Sequence, residues 1–146
     1  MRIQSIRYDG ARVRITWSAD DDRSESRTEF AGLEAPLPEF TDALRGLVVP
    51  ALGLLEIPAA WGDSATVTGM AIRHDAEGMG VIIAIQRPLP WASAPLRLTT
   101  PMVRDYGDRP MAGDLSRAVD EMLRVAVRYL SGARAQGDLF MKDRAA

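Results

Sequence analysis

DLSRAVDEMLRVAVRYLSGA, residues 114–133, is the most regular segment of the chain. Apolar residues recur in it at intervals of four and three, the spacing of a helix that buries one side. They are Leu115, Val119, Met122, Ala126, Tyr129 and Ala133. Asp114 can cap the N-terminus, and Gly132 stands where a left-handed residue commonly ends a helix. The pattern predicts a helix from about Asp114 to Ser131 with its apolar stripe packed against a sheet.

A second helical pattern lies in the first half of the chain. Its apolar residues are spaced in the same way: Phe40, Leu44, Leu47, Ala51 and Leu55. Pro38 suits the first turn of a helix, where an N–H group has no partner within the helix. Pro50 cannot donate a hydrogen bond to the preceding turn, so the sequence predicts a kink or break near Val49.

Residues 3–17 alternate between apolar and polar side chains around Asp9-Gly10, a strong signal for a β-hairpin. A two-residue loop there would place Tyr8 opposite Ala11 and Ile6 opposite Val13. The face expected to be buried carries Ile6, Tyr8, Val13, Ile15 and Trp17. The face expected to be exposed carries Ser5, Arg7, Arg12, Arg14 and Thr16. A third strand is predicted at residues 23–30, with Phe30 facing inward.

The second half of the chain predicts another hairpin, with residues 65–74 and 80–88 around a loop at 75–78. Simple alternation in the first arm places Val67 on the same side as Gly69 and Ala71, and Met70 with Ile72 on the other. Residues 81–85 are apolar on both faces and predict a central strand. Residues 96–99 predict a short peripheral strand, and residues 100–112 a loop.

The order of elements is three strands, a helix, three strands and a helix. We therefore expect an α+β fold in which an antiparallel sheet of about six strands carries two helices on one face. Residues 1–132 are expected to form this single domain. Residues 133–146 are expected to be a flexible tail, because they hold too few apolar residues to offset the entropy of ordering.

Composition limits the possible functions. The 146 residues carry a net charge of −2, which gives no reason to expect broad affinity for nucleic acids. There is no cysteine, which suits a reducing compartment, and no apolar run resembles a signal peptide or a membrane span. We expect a soluble cytoplasmic protein.

The sequence contains no recognisable catalytic set. His74 is the only histidine, and no nucleophile elbow or phosphate-binding loop motif occurs. Asp20-Asp21-Asp22 lacks the spacing of a calcium loop. We therefore predict a non-enzymatic protein without a metal site or cofactor, in which His74 is dispensable.

A short motif follows the last helix. Gln136, Asp138, Leu139 and Phe140, separated by Gly137, form a peptide that resembles the motif by which bacterial polymerases and mismatch-repair proteins bind the DNA sliding clamp. The resemblance implies that Leu139 and Phe140 enter a pocket on the clamp (the polymerase beta subunit) while Gln136 bonds to its rim. The whole chain looks like a small phage or prophage accessory protein of DNA replication or recombination. The alternative is that Leu139 and Phe140 pack back onto the domain.

The arginines of the first hairpin provide a different hypothesis. Arg7, Arg12 and Arg14 share the face expected to be exposed and could bind single-stranded nucleic acid, with Trp17, Trp61 or Trp91 stacking on bases. The competing interpretation is a cross-strand charge ladder, in which Glu25 and Glu29 lie beside Arg12 and Arg14. An oligomeric structural or inhibitory protein is a third possibility.

Overall fold

A computed structural model of the chain describes residues 2–18, 27–32 and 36–132. The strands are β1 (Arg2–Tyr8), β2 (Val13–Ser18), β3 (Arg27–Gly32), β4 (Thr66–His74), β5 (Met79–Arg87), β6 (Leu96–Thr99) and β7 (Val103–Arg104). The helices are α1 (Pro38–Gly46), α2 (Val48–Leu54) and α3 (Gly113–Leu130), with a 3₁₀ helix at Ala59–Asp63. The predicted α+β class is confirmed. No helix within these ranges is long and apolar enough to cross a membrane.

The strands form one antiparallel sheet in the order β3-β2-β1-β4-β5-β6, with β7 also paired to β5. This order is symmetric about the β1–β4 pair, so the sheet consists of two three-stranded meanders joined edge to edge. The two-residue strand β7 falls in the segment predicted to be a loop. It is too short to have a sequence signal of its own.

Helix α3 confirms the predicted helix, starting one residue before Asp114 and ending one residue before Ser131. The predicted cap was wrong, because Ala112 is the N-cap residue and Asp114 lies within the first turn. Its stripe is buried, with Val119, Met122 and Ala126 each 0% exposed. Helix α1 packs against both α3 and β4, so the helices cover one side of the sheet. Aromatic rings connect these layers: the Phe40 ring lies 5.5 Å from that of Tyr129 and 6.1 Å from that of Tyr8.

The first helical segment is broken at Leu47, two residues before the predicted position. Pro50 explains the difference, because its missing N–H and its ring act on the carbonyl four residues earlier, which belongs to Gly46. Helix α1 ends at Gly46 and α2 begins at Val48. Leu47 itself is fully buried, so the break lies in the core.

The first hairpin has a four-residue loop, and the predicted register was therefore wrong by two residues. Tyr8 pairs with Val13 and Ile6 with Ile15. The Asp9 carboxylate explains the longer loop, because its Oδ1 accepts hydrogen bonds from the N–H groups of Ala11 and Arg12, both at 2.8 Å. A shift of two residues leaves every side chain on its predicted face.

Simple alternation was wrong in β4. The register shifts between Val67 and Gly69, which marks a β-bulge at Thr68. Val67 therefore lies on the same buried side as Met70 and Ile72 rather than opposite them. The second hairpin has the predicted loop, since His74 pairs with Met79 across residues 75–78.

Strand β5 is paired on both sides, by β4 on one and by β6 and β7 on the other. Val81, Ile83 and Ile85 are at most 2% exposed, whereas Ile82 and Ala84 are half-buried on the other face. Strand β3 begins at Arg27, and residues 23–26 of the predicted strand lie outside the described residues.

Candidate nucleic-acid interface

The sheet face turned away from the helices forms an open concave surface. Strand pairing brings one row of residues across it: Arg14, Arg7, Gly69, Ala84 and Thr99 are successive neighbours on β2, β1, β4, β5 and β6. The next row continues from Ser5 to Ala71 and Ile82. Small residues therefore occupy the middle of this face, over β4 and β5.

These residues line a shallow cavity of about 880 Å³, which we call the open groove. Four arginines border it: Arg7, Arg12 and Arg14 from the first meander and Arg97 from the second. The distance from β1 to β6 is three strand spacings, or about 14 Å. The groove is thus a trough with cationic sides and a floor of glycine, alanine and isoleucine.

Gly69 is needed at the centre of this floor. A Cβ atom there would lie 2.7 Å from the carbonyl oxygen of Ile6 and 3.3 Å from the Cγ of Arg7. The glycine therefore allows the two meanders to approach closely at the bulge. It also keeps the middle of the groove free of side chains.

The charge on the groove is almost entirely positive. Arg7 and Arg97 form no ion pair with any residue that the structure describes. Asp9 is the one carboxylate among the lining residues. The backbone N–H groups of Arg12 and Ala11 lower the pKa of the Asp9 carboxyl by hydrogen bonding, so it is ionised at neutral pH.

The strand register bears on the predicted charge ladder. Glu29 pairs with Thr16, and Arg14 pairs with Ala31, so Glu29 is diagonal to Arg14 rather than directly opposite it. Glu25 lies outside the described residues. The charge ladder therefore stays a prediction. It could not include Arg97, which borders the same groove but comes from the other meander.

The three tryptophans have different surroundings. Trp17 is half-buried and packs against the core. Arg87 lies over the Trp61 ring, with its guanidinium carbon 4.0 Å from the ring centroid. Trp91 is 82% exposed, on the loop that joins β5 to β6. A large aromatic side chain with this exposure on a proline-flanked turn is available for stacking.

His74 contacts the backbone of a neighbouring strand. Its Nε2 lies 3.0 Å from the carbonyl oxygen of Ile3, which ties the end of β4 to the start of β1. The following loop is held by Asp75, which accepts a hydrogen bond from the Tyr106 hydroxyl, and by Asp105, whose Oδ1 accepts the N–H of Met79 at 2.9 Å. The described part of the chain contains no group of three or more His, Cys, Asp or Glu residues placed to hold a metal ion.

The four residues of the clamp-like peptide, Gln136, Asp138, Leu139 and Phe140, lie outside the described residues. The helix before them ends as predicted, since Gly132 has a φ of 105°. The peptide begins four residues after this glycine.

Sequence reasoning identified Arg7, Arg12 and Arg14 but missed Arg97 and Gln86, which line the same groove. Alternation along residues 96–99 indicates that Arg97 points away from Leu96 and Leu98. Only the strand order brings it to the arginines of the first hairpin. No protein-family model, no curated protein and no solved structure matches the chain.

Proposed function

We propose that the protein is a non-enzymatic accessory protein of DNA metabolism whose open groove binds single-stranded nucleic acid. One observation carries the proposal: arginines from both meanders border a trough whose floor has no long side chains. The groove can therefore hold a flexible polyanion along its length.

The chemistry of the trough suits a single strand. Guanidinium groups donate paired hydrogen bonds to phosphate oxygens, which supports assigning Arg7, Arg12, Arg14 and Arg97 to the backbone of the strand. The floor over Gly69, Ala71 and Ala84 offers flat apolar surface for bases. Trp91 does not line the groove, but it is 82% exposed on the loop between β5 and β6 and offers a stacking surface for a strand that extends beyond the groove. Base–aromatic stacking contributes about 1–3 kcal/mol per base.

The test is fluorescence anisotropy of a labelled oligothymidylate against wild-type protein over a range of salt concentrations. We expect affinity to fall steeply with salt, with a logarithmic slope of about −0.7 for each phosphate contact. The double variant Arg7→Ala/Arg97→Ala should bind more weakly, with a slope smaller in magnitude by about 1.4.

A matched control removes the same charge from the opposite side of the sheet. Arg117 and Arg124 are exposed on α3, so Arg117→Ala/Arg124→Ala should leave the affinity and the salt slope near wild-type values. If both double variants weaken binding equally, the interaction is nonspecific attraction and the groove is not its site. If wild-type protein does not bind at low salt, the proposal fails.

The clamp-like peptide supports a second proposal, that the protein binds the bacterial DNA sliding clamp. Helix α3 ends before Gly132, so the peptide follows the last helix of the domain rather than forming part of it. Burial of Leu139 and Phe140 would contribute roughly 3–6 kcal/mol before ordering costs, which suits weak, reversible binding. A protein with both activities would hold a single strand near the clamp.

Calorimetry with purified clamp tests this second proposal. Leu139→Ala/Phe140→Ala should abolish binding, whereas Gly137→Ala should preserve it. A double variant that instead loses thermal stability would mean that these side chains belong to the core. Deletion of residues 133–146 should leave single-strand binding unchanged, which separates the two proposals.

A further inference from the structure

A second cavity adjoins the open groove at the end where the first hairpin turns. Its volume is about 350 Å³, at the small end of the range for ligand pockets. It lies between the hairpin loop, helix α1 and the start of β4. Its apolar walls are formed by Leu44, Val48, Ala65 and Val67. Gln86 and Asp9 line both this pocket and the open groove, so the two cavities adjoin at these side chains.

Gln86 is the polar group that points to a ligand. It lies near the end of β5, between Thr66 on β4 and Arg97 on β6, and it is half-buried. Its side-chain amide makes no hydrogen bond to any residue that the structure describes. A primary amide can donate two hydrogen bonds and accept two, and most partly enclosed amides are paired. The Gln86 amide is therefore free to pair with a bound molecule.

Asp9 supplies a second polar group at the mouth of the pocket. Its Oδ1 holds the two backbone N–H groups of the hairpin loop. Its Oδ2 makes no hydrogen bond within the described ranges. Because the carboxyl is ionised, this oxygen only accepts hydrogen bonds. It favours a ligand that presents an N–H donor and disfavours one that presents a carbonyl oxygen there.

We propose that this pocket takes one nucleobase of the strand bound in the open groove, and that Gln86 and Asp9 select adenine or cytosine. The inference rests on the proposed single-strand binding and adds a base preference to it. Adenine and cytosine each offer a ring nitrogen acceptor next to an amino donor, which a Gln amide pairs with in bidentate fashion. Thymine and uracil offer a carbonyl oxygen in place of the amino group, which would face the Asp9 carboxylate.

The experiment tests the exocyclic amino group of the base by replacing it in the oligonucleotide. An oligothymidylate of about twelve nucleotides, within the length that single-strand-binding domains cover, is compared with two versions that carry a single central substitution. One version has adenine at that position, and the other has hypoxanthine, which replaces the amino group with a carbonyl. Wild-type protein should bind the adenine version about tenfold more tightly than the other two oligonucleotides, a typical value for one bidentate base contact.

The protein side of the test uses Gln86→Met, which keeps the length of the side chain and removes the amide. This variant should lose the preference for adenine, so that it binds the adenine, hypoxanthine and plain thymidylate oligonucleotides with equal affinity. Gln4→Met makes the same chemical change on β1 outside both cavities, and it should keep the preference. Thermal melting of both variants checks that they fold.

The two proposals fail in different ways. Equal affinity for all three oligonucleotides, or an adenine preference that survives in Gln86→Met, overturns the base pocket and leaves single-strand binding intact. Loss of binding to every oligonucleotide in wild-type protein overturns the groove itself.

Discussion

The two faces of the sheet differ in how their side chains are constrained. On the helix-covered face, Ile6, Ile15 and Ile83 are each 0% exposed and packed on several sides. On the open face, the same strands carry Arg7, Arg14 and Ala84, and no helix covers them within the residues that the structure describes. Packing on the first face thus fixes the fold, while most side chains of the second face, with the exception of Gly69, are free of that constraint.

The two faces differ in which physical constraint acts on their residues. A residue on the covered face is constrained by volume, because each methylene group affects packing. Arg7 and Arg97 on the open face form no ion pair with any residue that the structure describes, so their charges add little to stability. Their position on that face supports the proposed binding of a polyanion in the open groove.

The largest expected effect on stability comes from introducing an aspartate on the covered face, with an aspartate on the open face as the comparison. Met122→Asp would bury an unpaired charge at a side chain that is 0% exposed and should unfold the domain, at a cost above about 4 kcal/mol. Ala71→Asp places that carboxylate on the open face and should leave the protein folded but weaken single-strand binding. Chemical denaturation followed by circular dichroism measures both. A folded Met122→Asp variant would mean that the α3 stripe is not a core surface.

Gly69→Ala should have an intermediate effect, although it lies on the open face. The added methyl group would meet the Ile6 carbonyl at 2.7 Å, so the β1–β4 contact must shift, at a cost of about 1–3 kcal/mol. Gly53→Ala on α2 is the control, because a methyl group there meets nothing within 4 Å and should stabilise the helix by about 0.5–1 kcal/mol. Equal thermal midpoints for the two variants would contradict the close approach of the meanders at Gly69.

A smaller and pH-dependent effect is expected at the second hairpin loop. The hydrogen bond from the Tyr106 hydroxyl lowers the pKa of the Asp75 carboxyl and raises the pKa of the Tyr106 phenol. A lowered carboxyl pKa stabilises the folded state above its ordinary value of 3.8, and this contribution is lost as the pH falls through the folded-state pKa. Because the pKa of the Tyr106 phenol is raised above its ordinary value of 10.0, the stabilisation from this hydrogen bond is fully present below pH 10.0. It is lost as the pH rises through the pKa of the phenol in the folded state.

Tyr106→Phe should therefore melt at a lower temperature than wild type near neutral pH, and the difference should shrink as the solution is acidified below pH 3.8. Thermal melts across the acid range measure it. A difference that stays constant with pH would mean that the carboxylate contributes nothing and that Tyr106 acts through packing alone.

His74→Ala should have the smallest effect. The substitution removes one partly buried hydrogen bond to the Ile3 carbonyl, and a single hydrogen bond of this kind contributes about 1 kcal/mol. His74 does not line the groove, so single-strand affinity should be unchanged. A large loss of either property would indicate a role for the imidazole beyond this bond.

The sequence predicted the longer helices and strands because their apolar residues follow a clear pattern, whereas β7 and the 3₁₀ helix at Ala59–Asp63 are too short to have one. Helix α3 was located to within one residue at each end, and both faces of the first hairpin were assigned correctly. The register of that hairpin was not predictable from the Asp-Gly pair. The Asp9 side chain stabilises a longer loop by hydrogen bonds that the two-residue rule does not consider.

Two features of the candidate site could not be predicted from the sequence, for physical reasons. The bulge at Thr68 has only one sequence mark, the isolated Gly69 beside it, and a glycine inside a strand does not by itself distinguish a bulge from a close backbone approach. The meeting of Arg97 with the arginines of the first hairpin depends on strand order, and β6 follows β2 by more than seventy residues. Gln86 could not be identified as a candidate binding residue from the sequence, because only the folded structure shows that it lines two cavities.

The symmetric strand order also has a consequence for how the chain folds. Within each meander, neighbouring strands are close in sequence, so their pairing closes short loops. The β1–β4 pair instead joins Ile6 to Met70 across about sixty residues. Closing that loop costs about 2.5 kcal/mol more conformational entropy than closing a four-residue hairpin. Non-local pairing of this kind slows folding. We therefore expect the two meanders to form first and their junction at Gly69 to form in the rate-limiting step.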